Sequence, residues 1–244
     1  ATFATGAGFL LHTASIGLRS SATDGTELTG SNVLVLMAWA LVLVYFVLEH
    51  FIKRKVYGTL LVPAALLLML IAQILGLSSS VLSELRPEQA ALLDSWRVGI
   101  HVALIAFANA GFLISAVGSL LYLVQERQLK SRKTSKLLSR LPSLEQADRV
   151  ARRSVVWAFP AYTAGMLLGA LRAMETDVQL WWADARVVLA GVVWLAFAVY
   201  QILRWRYGWG GRRAAYLALV GFATVAILAV VARTVPAGFH IFGL

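Results

Sequence analysis

Seven apolar stretches, each close to the length that crosses a bilayer, dominate this sequence: 1–18, 32–52, 58–77, 97–124, 154–173, 184–203 and 214–234. Twenty residues of α-helix rise about 30 Å, the thickness of the hydrocarbon core. Lipid offers no water to an open amide, so a run of this kind must satisfy its own backbone, and only a helix does so within one segment. The expected fold is therefore all-α, a polytopic integral membrane bundle of about seven transmembrane helices in a single domain over 1–244. Charged residues make up 14% of the chain, against about a quarter in soluble domains. The first stretch has no basic segment ahead of it and reads as a span rather than a cleavable leader. Pro63 and Pro160 fall inside spans, where a neighbouring helix can take up the freed carbonyl.

The formal net charge is +10, and its placement says what it is for. One set of connections holds Lys53, Arg54 and Lys55, nine Lys and Arg between Arg127 and Arg153, and Arg204, Arg206, Arg212 and Arg213. The opposite set holds Arg19, Arg86, Arg97, Arg172, Arg186 and Arg233 among most of the acidic residues, including Glu175 and Asp184. Short basic loops stay in the cytoplasm. The N-terminus is thus expected inside and the C-terminus outside, with the 125–153 stretch forming a basic cytoplasmic loop. This loop reads first as a solvated topological anchor, while its leucines Leu137, Leu138, Leu141 and Leu144 also fit an amphipathic segment on the inner membrane surface. Nucleic acid is excluded as a partner, because no soluble surface interleaves basic and aromatic residues. No internal repeat supports an inverted-repeat transporter.

Cysteine is absent, which removes disulfides, thiolate metal sites and covalent haem attachment to this chain. Of the four histidines, His12, His101 and His240 fall towards the outer ends of their spans, whereas His50 closes the second span at the inner face. Ionisable groups inside a membrane are costly, so three at one depth suggest a site. Two imidazoles can hold haem iron from both sides; zinc, completed by outer carboxylates, is the competing metal. A second group runs from Glu175 through Trp181, Trp182 and Asp184 to Arg186. It reads either as an interfacial aromatic belt or as a flat aromatic surface for a planar ligand, with Arg172 and Arg186 paired to ligand carboxylates.

Several segments together resemble the membrane cytochrome c assembly family, the CcsA/CcmC-type haem handlers, and most closely its smaller HemX-like branch. They are Ser95-Trp96-Arg97-Val98-Gly99-Ile100-His101 opening a span, Tyr122 to Lys130 closing it, and Leu141-Pro142-Ser143-Leu144-Glu145 entering the next. Gly208-Trp209-Gly210-Gly211-Arg212-Arg213 precedes the last span and Pro236-Ala237-Gly238-Phe239-His240 ends it. The resemblance implies haem, non-covalent and of the b type, held near the outer face of a bacterial-type cytoplasmic membrane. It implies His101 and His240 as ligands, His12 as a third histidine of the HemX-like branch, and the tryptophans against the macrocycle. Partners would be cytochrome c maturation or haem-synthesis proteins. The family's Trp-x-Trp-Asp-Pro-Lys-Glu signature is reduced here to Trp181-Trp182-Ala183-Asp184-Ala185-Arg186. Where full synthases carry Tyr-x-His-x-Arg, this chain reads Tyr200-Gln201-Ile202-Leu203-Arg204, so no inner haem site is implied.

Two other classes fit the same composition. A bis-His membrane electron carrier or quinone-linked enzyme would show a reversible one-electron couple. A cofactor-free transporter or structural subunit would purify colourless. No residue set forms a catalytic dyad, and the chain reads as a haem handler rather than an enzyme.

Overall fold

The computed structural model describes residues 2–22, 30–52, 57–78, 95–131, 141–175 and 179–234. Among these residues there is no strand, and seven helices run in order: α1 (Thr2–Ala22), α2 (Gly30–Ile52), α3 (Gly58–Ser78), α4 (Trp96–Lys130), α5 (Leu144–Glu175), α6 (Ala185–Arg206) and α7 (Gly211–Thr234). A single 3-10 turn, Trp181–Ala183, leads into α6. Four helices are long and apolar enough to cross a membrane: α4, α5, α6 and the 211–229 part of α7. The apolar parts of α1, α2 and α3 are shorter, Phe3–Leu18, Leu34–His50 and Gly58–Ile74. His240 and Pro236 lie outside the described residues, as do Leu137 and Leu138.

The polar stretch at 125–153 is helical through most of its described length. α4 continues to Lys130, and α5 begins at Leu144, well ahead of the apolar run expected at 154. The cause is local: Ser143 Oγ accepts the Gln146 N–H at 3.2 Å, and Gln146 Oε1 accepts the Ser143 N–H at 3.3 Å. This reciprocal capping box satisfies two end groups and starts the helix before the membrane segment does. Pro63 and Pro160 both lie inside continuous helices. Tyr57, just ahead of α3, is buried, and desolvation pushes its phenol up from the ordinary value.

α4 is the hub. It packs on α5, α7 and α2, while α5 also meets α6, α6 meets α7, α3 lies on α2, and α1 touches α2. One apolar cluster joins α2, α3 and α4 through Leu41, Tyr45, Leu61 and Ile114. The other joins α4 to α7 through Phe112, Tyr162, Val193, Phe197 and Ala218. At its centre the Phe112 and Phe197 rings stack 3.7 Å apart and nearly parallel.

Glycines set how closely α4 and α5 approach. A Cβ at Gly111 would lie 2.5 Å from the Trp157 ring and 2.7 Å from Ala158 Cβ, and one at Gly118 would lie 3.1 Å from the Ala147 carbonyl. In lipid, helices attract mainly through such close packing, because the surrounding tails are as apolar as the side chains. A fork clamps the far end of the pair of helices α5 and α6: Arg204 donates to both carboxylate oxygens of Asp148 at 2.7 Å. Arg204 is 8% exposed, and its guanidinium also lies over the Tyr200 ring.

Candidate functional site

The start of α4 and the end of α5 form one corner of the bundle. Ser95 caps α4, its hydroxyl accepting the Arg97 N–H at 3.3 Å, which begins the helix one residue before Arg97. Arg97 and His101, four residues apart, then share a helix face. Arg97 pairs with Glu175 in the last turn of α5. Arg172, one turn earlier on α5, approaches the same carboxylate at 3.8 Å. Among the described residues, two guanidiniums thus meet one carboxylate at this corner.

His101 sits in a notch on α5. Its Nδ1 lies 2.7 Å from the Gly165 carbonyl, and since a carbonyl only accepts, Nδ1 carries the hydrogen. The lone pair of the neutral ring is then on Nε2, the atom that can coordinate a metal. A methyl group at Gly169 would lie 2.8 Å from Cε1 and 2.9 Å from Nδ1 of the ring. Gly165 and Gly169 thus form the floor of the notch and fix both the tautomer and the plane of the imidazole. Ligating histidines are commonly oriented by just such a donation to a backbone carbonyl.

The other residues singled out in the sequence distribute as follows. His12 is buried, 7% exposed, on α1, which packs against α2. There Trp39 of α2 stacks on Phe9 at 5.4 Å and donates from Nε1 to Thr13 Oγ1 at 2.9 Å. Trp181 and Trp182 meet edge to face, 6.3 Å apart at 84°. They make no common plane, so a planar ligand would meet a single ring face; Trp182, 59% exposed, offers the more open one. Asp184 is buried and caps α6, its Oδ1 accepting the Arg186 N–H at 2.8 Å. Leu180, with φ of 54°, turns the chain into this cap through left-handed backbone. His50 is exposed on α2.

Among the described residues no three histidines and carboxylates gather to hold a metal. Gly165 and Gly169 are not among the residues singled out in the sequence, and Arg97 and Glu175, each named there in a separate group, are joined only by the fold. The Gly165–Gly169 spacing, small residues four apart in an apolar helix, was the available signal, and Arg97 stood one turn ahead of His101.

Comparison with known proteins places this architecture. The family model described as cytochrome C assembly protein matches residues 28–240, a span that includes α2 to α7 and leaves α1 with His12 outside. The chain is 28% identical over 235 residues to the cytochrome c biogenesis protein CcsA of Prochlorococcus marinus (strain MIT 9303), covering 86% of this chain and 73% of that one. It is 27% identical over 225 residues to CcsA of Guillardia theta, covering 86% and 74%. It is 27% identical over 246 residues to CcsA of Porphyra purpurea, covering 86% and 76%. With a matching model over most of its length and a bundle of membrane-crossing helices, this membrane protein belongs to the cytochrome c assembly family.

Proposed function

We propose that this protein binds haem at the His101 corner and handles it for cytochrome c maturation. The observation that carries the reading is the His101–Gly165 hydrogen bond, which orients an imidazole with Nε2 as its coordinating atom. His240 would hold the iron together with His101, with His12 in reserve. The relatives are cytochrome c biogenesis proteins, and haem is the group such assembly must supply.

The donor set fits the group. Haem, when bound, would supply an iron that takes imidazole nitrogen as a ligand. This chain contributes a pre-oriented histidine, apolar helix surfaces, and the guanidinium groups of Arg97, Arg172 and Arg186 as partners for the anionic carboxylates of the macrocycle. Of Trp181 and Trp182, which stand edge to face, the more open Trp182 would offer the ring face that meets it. Binding is non-covalent, of the haem b type, in a bacterial-type cytoplasmic membrane. The chain crosses seven times, with the basic end of the bundle inside and the His101 corner outside. A regulatory role in tetrapyrrole synthesis, that of the HemX-like branch, draws on the same site.

The test is an absorption spectrum of the detergent-purified protein, oxidised and dithionite-reduced, beside His101→Ala and His240→Ala. A Soret band with sharp reduced bands, lost or turned high-spin in both variants, is expected. A colourless protein from haem-supplemented cells would sink the proposal.

A further inference from the structure

About 30 Å along α4 from His101, at 1.5 Å per residue, the α6–α7 turn gathers arginines and aromatic rings. Arg213 lies over the Trp209 ring, 5.7 Å from its centre, and Arg212 lies 5.6 Å from the centre of Tyr216. Arg206 is exposed in the last turn of α6. None of the three forms an ion pair with a described carboxylate. Glu126, whose charge reaches Arg212, is engaged with Lys130 at 2.8 Å. Trp205 and Tyr207 point outward, 85% and 67% exposed.

The turn is also tied to the helices around it. The Trp209 N–H donates to the Leu203 carbonyl at 3.1 Å, and Gly208 and Gly211 take left-handed backbone with φ of 64° and 60°. A Cβ at Gly211 would lie 2.8 Å from the Tyr122 hydroxyl, so the turn rests closely on α4. The arginines are therefore presented from a turn held against α4.

We propose that this turn binds the headgroup of an anionic phospholipid. Guanidinium groups match phosphate with two parallel hydrogen bonds and hold water more loosely than an ammonium does; these are exposed beside aromatic rings, with Arg212 donating to the Tyr216 hydroxyl at 3.4 Å. Tryptophan and tyrosine settle at headgroup depth, which places the rings and the phosphate at one level. A zwitterionic headgroup brings its own cation and would leave the three arginines uncompensated; an anionic one supplies the missing charge.

The test needs no haem. The protein is reconstituted in phosphatidylcholine vesicles with spin-labelled phosphatidylglycerol or spin-labelled phosphatidylcholine, and the motionally restricted lipid is measured by electron paramagnetic resonance. Phosphatidylglycerol is expected to be preferred by about fivefold or more at low salt. The preference falls towards parity in the double variant Arg212→Gln, Arg213→Gln. It persists in Arg152→Gln, Arg153→Gln, which removes the same charge from exposed positions on α5, with helicity by circular dichroism as the control for folding. No preference in the wild type, or equal loss in both double variants, overturns the proposal, the second result reducing the turn to a diffuse basic surface.

Discussion

The Nδ1 of His101 and the carbonyl of Gly165 stand 2.7 Å apart across the interface of α4 and α5, so a residue on one helix is oriented by the backbone of the other. The orientation depends on how closely the helices approach, and that approach depends on glycine. Local sequence around His101 supplies the cap and the helix, whereas the partner helix supplies the tautomer.

Gly169→Ala tests the notch. Its new methyl meets the imidazole ring at under 3 Å, and a ring held by a hydrogen bond cannot retreat without losing it. Haem affinity is expected to fall about 10–100-fold, as for other losses of a ligand's orienting contacts, with the helical content unchanged. Gly165→Ala meets mainly the Cδ1 terminus of Ile105, at 2.9 Å, which can rotate away. It should cost less; haem titration of the two variants in detergent gives the comparison, and an equal loss would count against the notch.

Gly111→Ala presses on the Trp157 ring and on Ala158 Cβ, neither of which has a free end to swing aside. Overpacking of this kind costs about 1–3 kcal/mol, and α4 would move off α5 along its length. Thermal unfolding in detergent should show a lowered midpoint, together with weaker haem binding at the remote His101.

Asp148→Ala leaves the Arg204 guanidinium buried without its carboxylate. Removing one member of a buried ion pair costs about 3–5 kcal/mol, taken at the lower end here because Asp148 retains 27% of its side-chain exposure. Arg204→Lys should recover little, since an ammonium cannot reproduce the two-armed contact. A double-mutant cycle by denaturant unfolding measures the coupling; additive single effects would show that the fork contributes nothing.

Asp184 separates a cap from a ligand contact. If its work is to accept the Arg186 N–H, Asp184→Ala costs about 1 kcal/mol and Asp184→Asn restores most of it. The haem spectrum should be the same in the Asn variant as in the wild type. A spectrum altered by Asn, with stability intact, would assign Asp184 to the haem.

The helical class of the fold and the segregation of basic from acidic ends were legible in the sequence, because lipid forces every amide in a long apolar run into a helix and loop charge follows topology. His101 was legible as a rare ionisable group in such a run. The early start of α5 was hidden because an apolar count ends where charge begins, while the Ser143–Gln146 capping box and helix-favouring charged residues carry the helix on. What only the tertiary structure decided is partnership: Gly165 beneath His101, Glu175 beside Arg97, Asp148 against Arg204, the last two separated by 56 residues. In a soluble helix the polar face marks the inside by elimination. In lipid both faces are apolar, so facing is set by small-residue fit and buried hydrogen bonds, which exist only once the helices have met.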